Sequence, residues 1–138
     1  MSSFVGINLR EGFPGAISRA GSNNTVEVKA VKGGQAVEYG QAVKLNDDGT
    51  VEAAKNTDAV LGVVVREFHQ EGADKQKFVS VLTRGYVFVP VEKGSYKVGA
   101  QIHLSAAGKF AAEDGTAIAA SRVMGEVKDD LVEIAFNI

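Results

Sequence analysis

Gly40-Gln41-Ala42-Val43-Lys44-Leu45-Asn46-Asp47-Asp48-Gly49-Thr50-Val51-Glu52-Ala53 decides the fold class of this 138-residue chain. Gln41 to Leu45 reads as one short strand and Thr50 to Ala53 as its returning partner. Between them Asn46-Asp47-Asp48-Gly49 supplies turn chemistry, since Asp-Gly readily takes the positive φ of a tight hairpin. Upstream, Val26, Val28 and Ala30 alternate with Thr25, Glu27 and Lys29, the period-two signature of a half-buried strand, and Gly33-Gly34 ends it. Downstream, Val60-Leu61-Gly62-Val63-Val64-Val65 is continuously apolar and β-branched, which predicts a central strand buried on both faces. His69 to Gln76 is polar and reads as an exposed loop. Phe78 to Thr83 predicts another strand, Gly85 a bend, and Tyr86 to Val91 a further strand with Pro90 at its end or on an edge. Val132, Ile134, Phe136 and Ile138 form one face of a last strand. No helical period is sustained, and only a short helical turn is expected near Thr116 to Ser121. The class is all-β.

The opening hairpin has a second copy. Gly99-Ala100-Gln101-Ile102-His103-Leu104 and Gly108-Lys109-Phe110-Ala111-Ala112 repeat it, with Gly99 standing 59 residues after Gly40 and Gly108 standing 59 after Gly49. Val43, Leu45 and Val51 correspond to Ile102, Leu104 and Phe110. Further on, Leu61-Gly62-Val63-Val64 finds an echo in Met124-Gly125-Glu126-Val127, at a longer offset of 63. Each copy reads as a hairpin followed by a strand with glycine near its start, where a bulge or a close backbone approach is expected. Short strands with regular turn signals favour a compact small β-barrel or sandwich of antiparallel strands, built from two hairpin-based pseudo-repeats.

Residues 1–24 read differently. Phe4, Val5, Ile7, Leu9, Phe13 and Ile17 are spread among Gly6, Gly12, Pro14, Gly15 and Gly21, and no period persists through the stretch. It is too apolar for a typical disordered tail. The expected organisation is therefore an extended N-terminal arm over residues 1–24 and a single β-rich domain over 25–138, with the arm either folded back on its own domain or docked on a neighbouring subunit. At this length a domain buries roughly 70% of the surface of its unfolded chain, and a second core is not expected.

Composition narrows the function. A net charge of −2 with scattered Lys and Arg gives no electrostatic basis for binding nucleic acid. Cysteine is absent, which excludes disulfides and thiolate metal sites and fits a reducing cytosol. No apolar run approaches the ~20 residues that span a bilayer, and Met1 to Gly6 lacks a basic stretch ahead of an apolar one, so neither a membrane partner nor a secretory signal is expected. His69 and His103 have no acidic or histidine neighbour at a ligand spacing such as H-E-x-x-H. No serine sits in a G-x-S-x-G elbow. Asp47-Asp48-Gly49, Glu113-Asp114-Gly115 and Asp129-Asp130 read as turns, where Asp bonds its own backbone. No catalytic residue, cofactor or metal ligand is predicted, and the expected task is the binding of protein surfaces. A carbohydrate or small-molecule barrel would line its pocket with aromatics, and this chain has no Trp and only 3 Tyr.

In order, "AVEYGQAVKLNDDGTVEAA", "VLGVVVREF", "LTRGYVFVPVEKG", "VGAQIHLSAAGKFAA" and "VMGEV…LVEIAFNI" resemble the capsid cement, or decoration, proteins of tailed bacteriophages. The resemblance spans about Ala36 to Ile138. It implies a small β-rich protein on the outer surface of the phage head, made in the bacterial host cytoplasm, that bridges neighbouring major capsid proteins and stabilises the shell as a dimer or trimer. Phe4, Ile7, Leu9 and Phe13 of the arm are the expected capsid or inter-subunit contacts. The alternative is another virion component, such as a small tail or head-completion protein.

Overall fold

The computed structural model describes residues 13–19, 24–66 and 78–138, so the polar loop containing His69 and most of the arm lie outside the described residues. The described residues form strands β1 (Thr25–Ala30), β2 (Ala42–Leu45), β3 (Val51–Ala53), β4 (Gly62–Val65), β5 (Phe78–Pro90), β6 (His103–Leu104), β7 (Phe110–Ala111), β8 (Thr116–Ala117), β9 (Ser121–Val123) and β10 (Leu131–Phe136). No helix occurs among them, and all the strand pairings are antiparallel. The larger sheet runs β3-β2-β4-β5-β10-β9 with β1 also on β5, and β7-β6-β8 makes a smaller one. The sheets stay open, so the sandwich alternative holds and the closed barrel does not. The turn expected near Thr116 to Ser121 is present, closed by Ser121 N–H to Ile118 O at 3.2 Å, but it is a tight connection between β8 and β9 and not a helical one, with Ile118 N–H bonded to Ile102 O at 2.8 Å.

β5 is one strand of 13 residues where the sequence predicts two. Gly85 (φ 143°) bends the strand without breaking it, and an added Cβ there would lie 2.2 Å from Asn24 Oδ1. Residues 78–84 pair with β1, while 85–90 pair with β10. Pro90, which cannot donate to a ladder, ends the strand as expected.

The repeat is real at the level of single hydrogen bonds. Gly40 N–H donates to Val64 O at 2.7 Å, and Gly99 N–H donates to Val123 O at 2.7 Å. Asn46 N–H to Thr50 O (2.8 Å) and Gly49 N–H to Asn46 O (2.9 Å) are matched by Ser105 N–H to Lys109 O (2.8 Å) and Gly108 N–H to Ser105 O (2.9 Å). Parallel bridges join Val31 to Val51 and Val91 to Phe110. The first copy is thus β1, β2, β3, β4 and the first half of β5; the second is the other half of β5, β6, β7, β9 and β10. The counterpart of β4 is β9, which keeps the 59-residue offset. The echo at Met124–Val127 is coincidental: Gly125 lies outside any strand with open space around it, whereas a Cβ on Gly62 would stand 2.2 Å from Leu82 O.

Two hydrophobic clusters follow from the alternation. Val63, Val65 and Leu82 from one face of the first copy pack with Val87, Ile102, Phe110, Val123 and Ile134 of the second. Val43, Val51, Val64 and Val81 point to the opposite face and make a smaller cluster with Val31. β4 is therefore buried on both faces, as its unbroken apolar run predicts.

Candidate interaction surface

The described part of the arm lies along its own domain. Gly15 N–H donates to Phe88 O (2.9 Å), Phe88 N–H to Ala16 O (2.9 Å) and Ser18 N–H to Tyr86 O (3.1 Å), with Ile17 bridged to Val87. Residues 15–18 thereby cover the outer edge of the second half of β5. Arg19 clamps the end of this segment. Its Nε and a terminal nitrogen meet Glu133 Oε2 and Oε1 at 2.9 and 3.2 Å, and the guanidinium lies 4.4 Å over the Tyr86 ring. Hydrogen bonding to Glu133 raises the Arg19 pKa further above its ordinary value, against a smaller opposing effect of desolvation.

Of the predicted contact residues, Phe4, Ile7 and Leu9 lie outside the described residues. Phe13 is described, and it is 37% exposed. The structure brings it beside two residues that the sequence did not single out. Arg66 places its guanidinium 5.3 Å from the Phe13 ring and 5.4 Å from that of Tyr39, which is 42% exposed. Three segments converge because their backbones are tied: Arg66 N–H donates to Gly15 O (2.8 Å) and Gly40 N–H to Val64 O (2.7 Å). Glycine is required at both crossings. Gly15 (φ 78°) and Gly40 (φ 82°) would bring a Cβ within 2.9 Å of Val64 O and 2.6 Å of Pro90 Cδ. An arginine between two part-exposed aromatics has the composition of an interface hot spot, with large contact area and a cation held over aromatic rings. Nothing in the spacing of Phe13, Tyr39 and Arg66 predicts this cluster.

A cleft of ≈ 160 Å³ beside it is lined by Tyr39, Pro90, Glu92 and Phe110, and a second of ≈ 280 Å³ by Asn56, Val60, Ile118 and Phe136. Both fall below the roughly 300–1,000 Å³ typical of small-molecule sites. His103 sits half-buried on β6 between Ala111 and Ala117, with its Nδ1 buried and without a hydrogen-bond partner. Among the described residues no three His, Asp or Glu side chains converge.

A second apolar patch lies on β1 and the start of β5. Val28 is 66% exposed and Phe78 40%, and the register Val28↔Ser80, Ala30↔Phe78 puts both on one face.

A family model described as structural cement protein (E217 gp24/Pam3 gp6) matches residues 1–137. No curated protein matches this chain. Among solved structures, a chain in the capsid of Myoviridae phage XM1 is similar in fold, with a TM-score of 0.71 and 18% identity over 92% of this chain and 91% of that one.

Proposed function

This chain belongs to the phage structural cement protein family, and from that premise we propose that it sits on the outer surface of the head and bridges neighbouring major capsid proteins. Its role is that of capsid cement, a structural role that calls for no chemistry. The single observation that carries the reading is the family match over residues 1–137. The open sandwich with its exposed Phe13–Arg66–Tyr39 cluster supports it physically. A capsid presents many identical sites, so modest affinity per site, repeated over the lattice by a dimer or trimer, sums to a large reinforcement. Phe4, Ile7, Leu9 and Phe13 contribute the apolar contacts of the arm, whose ordering on docking offsets part of the interaction energy.

The test is co-sedimentation of purified protein with heads that lack it, followed by heating. Saturable binding at a copy number matching the lattice, with heads that survive a higher temperature, is the expected result. A few copies per virion would instead indicate a tail or head-completion component. Removal of residues 1–12 together with Phe13→Ala should weaken binding. Undiminished binding would remove the arm from the interface.

A further inference from the structure

The two copies of the repeat differ in one respect. β1 and the second half of β5 are counterparts, each opening its copy and each followed by a parallel bridge, Val31 to Val51 and Val91 to Phe110. Their positions in the register correspond as well, although their side chains differ, charged in β1 and buried valine in β5. Glu27 and Lys29 stand beside Val81 and Val79 just as Val87 and Val89 stand beside Ile134 and Val132. In the second copy, the outer edge of the strand is covered by residues 15–18, through the carbonyl of Tyr86 and the amide and carbonyl of Phe88. The counterparts of those two residues are Val26 and Val28. Among the described residues no segment pairs with the outer edge of β1, whose neighbour in the sheet is β5 alone.

We infer that the outer edge of β1 takes an added strand in trans, supplied by residues 5–10 of a second copy of this chain. This rests on the reading of the arm as an inter-subunit contact and names its receptor. Although no period runs through the whole arm, Val5, Ile7 and Leu9 alternate with Gly6, Asn8 and Arg10. A strand with that pattern, laid on β1, sets its apolar side chains against exposed Val28 and Phe78 and its polar ones beside Glu27 and Lys29. Main-chain bonds supply affinity, and the alternate side chains fix register. The Glu27–Lys29 ion pair at 3.2 Å guards the same edge against indiscriminate pairing. Arg10 is the residue that brings charge complementary to Glu27.

The absence of cysteine makes the test direct. Ile7→Cys and Val28→Cys are purified separately, mixed at equal concentration and oxidised. A covalent dimer that contains one of each variant, and that is missing when either is oxidised alone, is the expected result. No mixed dimer, or cross-linking of the double variant only within one chain, overturns the inference. In parallel, Val28→Pro removes an outward N–H and should lower the self-association constant by about tenfold or more, as loss of edge hydrogen bonds implies. A variant that is still folded by circular dichroism but associates like the parent overturns the inference, as does a parent that is monomeric at tens of micromolar. Head binding is measured separately: arm variants that lose head binding while Val28→Pro leaves self-association unchanged would keep the cement reading and reject β1 as the receptor.

Discussion

Gly40 and Gly49 are both at positive φ and serve different purposes. A Cβ on Gly40 would collide with Pro90 Cδ at 2.6 Å, while one on Gly49 meets open space. Gly40→Ala should therefore cost more than the roughly 1–2 kcal/mol of left-handed backbone strain that Gly49→Ala costs alone, a difference that urea unfolding midpoints would read. At the same turn, Asp48 Oδ1 accepts from the Thr50 hydroxyl (2.6 Å) and amide (3.0 Å), which holds its pKa below the ordinary value, the hydroxyl first. A carboxylate depressed in the folded state stabilises above its unfolded pKa and loses that contribution as pH falls through the folded value. The stability gap between the parent and Asp48→Ala should be present at neutral pH and close as the pH drops below about 4. A gap independent of pH would count against the charge-assisted bond. For the surface cluster, Arg66→Ala should weaken head binding while leaving the melting temperature within a few degrees, since Arg66 is exposed.

At the scale of elements, β10 is reached through a two-residue turn. Asp129 (φ 54°) and Asp130 (φ 61°) are both left-handed, and Lys128 bridges Leu131, the geometry of a type I′ hairpin. Replacing the pair by Asn-Gly should stabilise the fold by about 0.5–1 kcal/mol, because glycine accepts positive φ without steric cost. A lowered urea midpoint would contradict that geometry. β4 and the first half of β5 contribute Val63, Val65 and Leu82 to the larger core cluster. Leu82→Ala, at a side chain with no exposure that pairs with Val26 and Val63, should cost about 2–5 kcal/mol.

For the whole molecule, residues 15–18 line the outer edge of β5 through the isolated bridge of Ile17 to Val87 and the hydrogen bonds around it. Removing residues 1–19 should destabilise the protein relative to removing 1–12, because it strips the Phe88 and Tyr86 hydrogen bonds and the Arg19–Glu133 clamp. At about 1 kcal/mol per hydrogen bond, plus the lost burial of Ala16 and Ile17, the difference should exceed about 3 kcal/mol in a denaturant series. Equal stability of the two truncations would mean that the segment is an ornament.

Local chemistry by itself determined the strands, the turns and the repeat. Alternation marks a half-buried strand wherever it occurs, an unbroken Val run marks burial on both faces, and Asp-Gly marks a turn in any context, so β1 to β4, β10 and both hairpins were legible residue by residue. The counterpart of β4 is not legible locally: Met124-Gly125 imitates Leu61-Gly62, while the deciding feature is a hydrogen bond from Gly99 to Val123 that no local pattern encodes. Tertiary structure alone decided that β5 runs through both copies, that the sheets stay open, and that Phe13, Tyr39 and Arg66 meet. Each depends on which distant backbones are tied together, and that is set by long-range packing of faces that look alike in sequence.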